Sequence, residues 1–197
     1  MNRRSTALLA LVAALSLVAL GCSSDDDAGE DAQGADAAVL YYSGHGIEAG
    51  GENWLVPVDA DLDALGDASI KLVPISQILE DLKATVPIAV LLLDACRSNP
   101  FPPGALLKTD DNPAGAPLAG AGLSIPRGFT PVEGAASESL GTVIGFAAEP
   151  GLPALDGEPG GNSPYAAALI RHLSAMNGEE FGMVMRMVTE EVYLKTK

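Results

Sequence analysis

The sequence predicts an α/β domain in which helices cover both faces of a mostly parallel sheet. Residues 88–93, IAVLLL, are apolar at both odd and even positions, which is typical of a strand buried on both faces of a parallel sheet. Residues 75–82 instead space their apolar side chains as an amphipathic helix does. Because strand-like and helix-like segments alternate along the chain, a layered α/β arrangement is the expected fold class.

The remaining elements are placed in chain order by local signals. Residues 37–46 read as a strand that runs into a glycine-flanked loop at His45, and Pro87 ends the amphipathic helix. Ser163 and Pro164 suit the N-cap and the first position of a later helix. The other expected elements are an extended piece at 52–62 that is followed by a loop, a long loop over 99–137, a short strand over 141–148, and helices over 163–176 and 179–196.

The N-terminus has the sequence pattern of a targeting signal. Two arginines, Arg3 and Arg4, precede an apolar run over residues 7–20, which is shorter than the roughly 20 residues that span a bilayer and suits a signal peptide over 1–21. The run ends in LVALGC, which resembles the bacterial lipobox and implies lipidation at Cys22. Ser23 after the cysteine suggests a bacterial cell-envelope lipoprotein on the outer membrane, facing the periplasm. The alternative is an ordinary secretory signal with an incidental cysteine.

Residues 22–37 are rich in acids and hold no large apolar side chain, so we expect a flexible tether before a single domain over 38–197.

The charge of the chain restricts its partners. The chain as a whole carries a formal net charge of −15. Nucleic acid is therefore an unsuitable partner, because phosphate binding needs clustered lysine and arginine. Cationic substrates fit better.

Cys96, the second of the two cysteines, has both a structural and a catalytic interpretation. If Cys22 carries lipid, Cys96 has no disulfide partner, and it is either a small buried hydrophobe or a nucleophile at the end of a strand. A cysteine nucleophile needs a base nearby. Of the two histidines, His172 lies in a predicted helix and suits a packing or surface role. His45 follows a strand, 51 residues before Cys96, and is the candidate base.

Four blocks of sequence, taken together, resemble the caspase-like cysteine peptidases. They are YYSGHG at 41–46, NWLVPVDA at 53–60, LLLDACRSNPF at 91–101 and the segment 141–173. Their order matches bacterial caspase-family proteins, relatives of metacaspases and paracaspases, and the similarity covers residue 38 to the C-terminus. The resemblance implies a caspase-like three-layer α/β/α fold and peptidase activity on protein or peptide substrates.

The resemblance also assigns roles to individual residues. It makes Cys96 the nucleophile and His45 the general acid/base, with the backbone N–H groups of Gly46 and Cys96 as the oxyanion hole. Asp94 takes the place of the acid that metacaspases and paracaspases use in the pocket before the scissile bond, which implies cleavage after arginine or lysine. The alternative for Asp94 is a structural carboxylate that caps nearby backbone N–H groups.

The resemblance also predicts where the chain would cut itself. Residues 99–137 correspond to the segment that many family members cut, so self-cleavage after Lys108 or Arg127 is a hypothesis.

No cofactor is expected: two histidines and one free cysteine are too few for the usual zinc sites. Weak calcium binding at the acidic loop from Asp59 is left open, since some metacaspases use calcium.

The resemblance has one departure. The family fold normally opens with a strand, a helix and a second strand before the histidine strand, whereas only the tether precedes that strand here. We therefore expect an N-terminally truncated version of the fold with an open sheet edge, which a partner would cover. The chain is interpreted first as a cysteine endopeptidase. The alternative is a catalytically incompetent remnant or a protein-interaction module on a lipid anchor.

Overall fold

The computed structural model describes residues 34–61, 72–97, 101–119, 123–124, 141–149 and 151–197. The elements in chain order are β1 (Ala37–Gly44), β2 (Gly46–Ala49), β3 (Glu52–Leu55), β4 (Val73–Pro74), α1 (Ile75–Thr85), β5 (Ile88–Ala95), β6 (Leu106–Thr109), β7 (Asn112–Pro117), β8 (Gly141–Phe146), α2 (Pro164–Ala175) and α3 (Phe181–Thr196).

The main sheet is parallel and has the strand order β1-β5-β8. β5 is the central strand, and its side chains Leu91 and Leu92 are 0% and 1% exposed although they point to opposite faces. This double burial explains why the strand is apolar at both parities, as predicted. In the register of β1 with β5, Ala37 lies opposite Ile88 and Gly44 lies opposite Ala95.

Helices cover the two faces of this sheet. On one face, Leu91 and Leu93 of β5 belong to the same hydrophobic cluster as Ile75 and Leu79 of α1. On the other face, the side chains of a second cluster come from β5, α2 and α3, and they include Val90, Leu92, Tyr165, Leu169 and Val188. The predicted three-layer α/β/α fold with a mostly parallel sheet is therefore confirmed.

The helix boundaries also follow the sequence signals. α1 ends at Thr85 and Val86 is already extended, because Pro87 cannot continue the helix. At the start of α2, the Ser163 hydroxyl accepts a hydrogen bond from the backbone N–H of Ala166 at 2.9 Å, and Pro164 takes the first helical position. Ser163 is thus the N-cap that the sequence predicts.

β1 forms one edge of the main sheet. Within the described residues it pairs with β5 on one side and has no strand on the other. Its face toward α2 and α3 is only partly covered, since Val39 is 62% exposed and Tyr41 is 43% exposed. An edge strand with exposed apolar side chains offers a surface on which another strand or a partner can pack.

One sequence expectation is wrong in part. Residues 99–137 were expected to form a loop, but β6 and β7 pair as an antiparallel hairpin within this range, with an irregular register between Leu107 and Thr109. Pro113 and Gly115 lie in β7, and such residues ordinarily indicate a loop. A two-stranded hairpin accepts proline because each strand has an edge that needs no N–H donor.

Several predictions concern residues outside those that the structure describes: the signal peptide 1–21, Cys22, the tether as far as residue 33, Arg127, and most of the acidic loop that follows Asp61. In the described part of the chain, no helix is long and apolar enough to cross a membrane. No three histidine, cysteine or carboxylate side chains gather there as a metal-binding group.

Candidate active site

His45 and Cys96 follow directly after two neighbouring parallel strands. Gly44, the last residue of β1, is the register partner of Ala95, the last residue of β5. Paired strands lie about 4.8 Å apart. The structure therefore brings the two positions to the same edge of the sheet, at the carboxyl ends of its strands, which is where α/β folds usually bind ligands.

The backbone at His45 is fixed by hydrogen bonds, while its side chain is exposed. The carbonyl of His45 accepts from the N–H of Val56 at 3.0 Å and lies 2.7 Å from the hydroxyl of Tyr42. A Cβ at Gly44 would lie only 2.6 Å from the Tyr42 hydroxyl oxygen, and one at Gly46 would lie 2.5 Å from Leu123 Cδ1. A side chain at either of the glycines flanking His45 would therefore force a neighbouring side chain to move.

Cys96 is half-buried between two buried neighbours, Ala95 and Arg97. Its sulfur lies 3.9 Å from the carbonyl oxygen of Ala154, a weak contact, and the thiol is free. Part of the Cys96 surface is therefore open to solvent, unlike the inert cysteines that lie wholly inside a core.

Arg97 was not singled out by the sequence, yet it connects three segments beside Cys96. Its Nε donates to the carbonyl of Leu123 at 2.9 Å, and its guanidinium lies 4.3 Å from the ring centre of Phe146. Its backbone N–H donates to the carbonyl of Leu152 at 2.9 Å, and its carbonyl accepts from Gly151 at 2.8 Å. The side chain is 7% exposed, and burial lowers the pKa of the guanidinium from its ordinary value. The only sequence signal for this role is a basic residue directly after a buried strand.

Asp94, two residues before Cys96, is a buried carboxylate with an exposed fraction of 6%. Its Oδ2 accepts a hydrogen bond from the Tyr41 hydroxyl at 2.7 Å and another from the Ser163 hydroxyl. Ser163 caps α2, so the carboxylate lies near a helix N-terminus, where negative charge is favoured. The bonds to Asp94 that the structure describes come from hydroxyl groups.

Two tyrosines are affected by this carboxylate. The pKa of Tyr41 is raised, first by burial and next by the hydrogen bond to Asp94 and its charge. The pKa of Tyr165 is also raised, first by burial and then by the charge of Asp94. Among the described residues, the buried Tyr165 hydroxyl has no hydrogen-bond partner. The charge of Asp94 thus adds to the effect of burial on both tyrosines.

The other predicted residues are placed as follows. Gly46 is buried at the start of β2, two residues after the last residue of β1, and Cys96 is the first residue after β5. His172 is not at the candidate active site: its Nε2 lies 2.9 Å from a carboxylate oxygen of Glu191 on α3. Lys108 is half-buried in β6. The proposed roles of these residues stay predictions.

Comparison with known proteins identifies the family. The family model for the caspase domain matches residues 25–197, which is most of the chain. No curated protein matches the sequence. The match includes both strand ends that carry His45 and Cys96 and the helices on both sheet faces. The chain belongs to the caspase-domain family of peptidases.

Proposed function

We propose that the protein is a cysteine endopeptidase that hydrolyses peptide bonds after arginine or lysine, with Cys96 as nucleophile and His45 as general acid/base. The observation that carries the proposal is the register of β1 with β5, in which Gly44 and Ala95 are partners and the two reactive residues come next. Membership of the caspase-domain family supports peptidase chemistry in general.

The reaction requires only groups of this chain and water. The thiolate of Cys96 attacks the peptide carbonyl, and the negative charge on the oxygen is stabilised by the N–H groups of Gly46 and Cys96. His45 gives a proton to the leaving amine, and the C–N bond breaks to leave a thioester. Water, deprotonated by His45, then attacks the thioester, which releases the carboxylic acid and restores the thiolate beside a protonated His45.

The preference for basic residues depends on Asp94. A buried carboxylate without a cationic partner is costly, so a pocket that ends on Asp94 favours a positively charged side chain. The structure describes two hydroxyl partners and no ion pair for this carboxylate. The net charge of −15 also favours basic substrates over acidic ones.

We further propose that lipid on Cys22 anchors the protein in the bacterial cell envelope, on the outer membrane facing the periplasm. The support is the sequence LVALGC after a short apolar run. Mass spectrometry of the N-terminal peptide from membranes tests this proposal: a diacylglyceryl-modified Cys22 is expected. An N-terminus without lipid in wild type, equal to that of Cys22→Ser, would contradict it.

Turnover of fluorogenic peptides tests the proposed activity. The purified protein is incubated with matched peptides that end in arginine, lysine or aspartate before the reporter group. Cleavage after arginine and lysine is expected, together with its loss in Cys96→Ala and in His45→Ala. His172→Ala, which changes the histidine between α2 and α3, serves as the control and should retain activity.

A second candidate function is favoured by the open face of β1. Val39 and Tyr41 expose apolar surface on an edge strand, as a protein-interaction module would, and a partner could cover this surface. Such a module would be folded, as shown by a cooperative thermal transition, but would cleave none of the peptides. The same turnover experiment therefore distinguishes the two functions.

A further inference from the structure

We infer that Tyr41 and Ser163 are positioning residues that occupy one oxygen of Asp94 and leave the other to contact a basic substrate side chain end-on. The pocket would then accept lysine and arginine with similar affinity. This inference rests on the proposed function, because it concerns how the same site recognises its substrate.

Three elements of the fold converge on one carboxylate oxygen. Tyr41 comes from the edge strand β1, Asp94 from the central strand β5, and Ser163 from the N-cap of α2. Both hydroxyls donate to Oδ2 of Asp94. Within the part of the chain that the structure describes, Oδ1 has no hydrogen-bond donor of its own.

The Ser163 hydroxyl has a defined direction. Its oxygen accepts the N–H of Ala166 at 2.9 Å, so its proton is available for the bond to Asp94. The cap of α2 and the orientation of the carboxylate are therefore connected through one side chain. Because Asp94 is only 6% exposed, these bonds fix the direction of a group that has little room to turn.

The substrate side chain has an open approach from the β1 side. Ser43 is the register partner of Asp94 and is exposed, and Tyr41 is 43% exposed. In the described part of the chain, the face of β1 that carries Tyr41 and Ser43 is therefore only partly covered. A basic side chain that enters over β1 thus reaches the carboxylate beside the Tyr41 ring.

The two oxygens of Asp94 decide which cation fits best. A carboxylate oxygen offers about two lone-pair positions, and both positions of Oδ2 are used by Tyr41 and Ser163. Arginine gains its advantage over lysine by donating two parallel hydrogen bonds, one to each oxygen. With Oδ2 occupied, arginine loses that advantage, whereas an ammonium group needs only Oδ1.

Peptide binding to the full chain carrying Cys96→Ala tests the inference without any need for turnover. Calorimetry gives the dissociation constants of two peptides that differ only in a C-terminal arginine or lysine. In Cys96→Ala alone, the two constants should agree within about threefold. Addition of Tyr41→Phe with Ser163→Gly frees Oδ2 and should shift the ratio toward arginine by about fivefold to tenfold.

The variants are chosen so that loss of folding is not mistaken for loss of positioning. Glycine caps a helix almost as well as serine, so Ser163→Gly removes the hydroxyl at little cost to α2. Ser163→Thr keeps the hydroxyl and should keep the original ratio. Tyr165→Phe is the matched control for Tyr41→Phe, since the Tyr165 hydroxyl is near Asp94 but donates no hydrogen bond to it.

The outcomes separate this inference from the proposed hydrolysis. The inference is overturned if the ratio of the two dissociation constants stays the same in the double variant. It is also overturned if Asp94→Asn does not weaken binding, or if neither peptide binds. If the ratio shifts as expected but the wild-type protein cleaves no peptide, the recognition inference is supported and it is the hydrolysis that fails.

Discussion

Gly44 and Ala95 face each other at the ends of β1 and β5, so His45 and Cys96 leave the sheet at neighbouring positions. This relationship needs no contact between the two side chains in the resting protein, because catalytic hydrogen bonds often tighten only when substrate is bound. It depends on the parallel pairing of two strands that are separated in sequence by β2, β3, β4 and α1. The catalytic proposal therefore depends on the register of one strand pair.

Gly46→Ala should damage both stability and activity. A Cβ at this position would lie 2.5 Å from Leu123 Cδ1, so either Leu123 or β2 must move. Overpacking of this kind costs about 1–3 kcal/mol, and it displaces the proposed oxyanion donor. Urea unfolding and peptide turnover provide the measurements. Gly182→Ala, in a roomier position on α3, is the control; equal stability losses in the two variants would argue against the close contact.

Arg97→Met should lower the free energy of unfolding by about 2–4 kcal/mol. The substitution leaves the carbonyl of Leu123 without its donor and removes the cation from the face of Phe146. Chemical denaturation measures the change. Arg186→Met, which replaces an exposed arginine on α3, should cost less than about 0.5 kcal/mol. A loss at Arg97 no larger than that control would contradict the connecting role.

Tyr165→Phe should leave the protein equally stable or stabilise it by about 1 kcal/mol. Its hydroxyl is buried and has no hydrogen-bond partner among the described residues, so its removal relieves a desolvation cost. Thermal unfolding compares this variant with Tyr193→Phe, which alters a tyrosine that is 58% exposed and should change nothing. A clear loss of stability in Tyr165→Phe alone would show that the hydroxyl has a partner.

Stability should fall above about pH 10. The pKa values of Tyr41 and Tyr165 are raised above their ordinary value of 10.0, mainly by burial. In alkali the unfolded chain loses these protons first and binds fewer protons than the folded chain, so the free energy of unfolding decreases as pH rises. Urea unfolding between about pH 9 and 11 should show a smaller decrease in Tyr41→Phe with Tyr165→Phe than in wild type. Equal slopes would contradict the raised pKa values.

Self-cleavage should depend on Cys96. Intact-mass measurement after incubation should show a cut after Lys108 or Arg127 in wild type and none in Cys96→Ala. Lys108 lies in the β6–β7 hairpin, and a paired strand must open before it can enter a peptidase site. Lys108→Gln and Arg127→Gln identify which bond is cut. The same cuts in Cys96→Ala would point to a contaminating peptidase.

Local patterns predicted most of the fold. The buried strand β5, the amphipathic helix α1 and the cap of α2 each follow from a few neighbouring residues, and all three are confirmed. The hairpin was missed because Pro113 and Gly115 normally signal loops. Their positions after strands singled out His45 and Cys96, and the family resemblance then assigned a catalytic role to each of them.

The surroundings of Asp94 could not be predicted from the sequence. Its hydrogen-bond partners Tyr41 and Ser163 are 53 and 69 residues away along the chain. No periodicity or motif links positions so far apart, and only the packing of β1 and α2 around β5 brings them together. The connecting role of Arg97 is hidden for the same reason, since its partners come from later segments of the chain.

Covalent labelling of Cys96 tests the central claim most directly. A peptidyl-arginine chloromethyl ketone should form one thioether, located on Cys96 by peptide mapping, with loss of chloride. The rate should fall about 100-fold in His45→Ala, stay unchanged in His172→Ala, and be far lower for the same reagent with aspartate in place of arginine. Equally fast labelling in His45→Ala, or no preference for the arginine reagent, would contradict a peptidase in which these two strand ends act together.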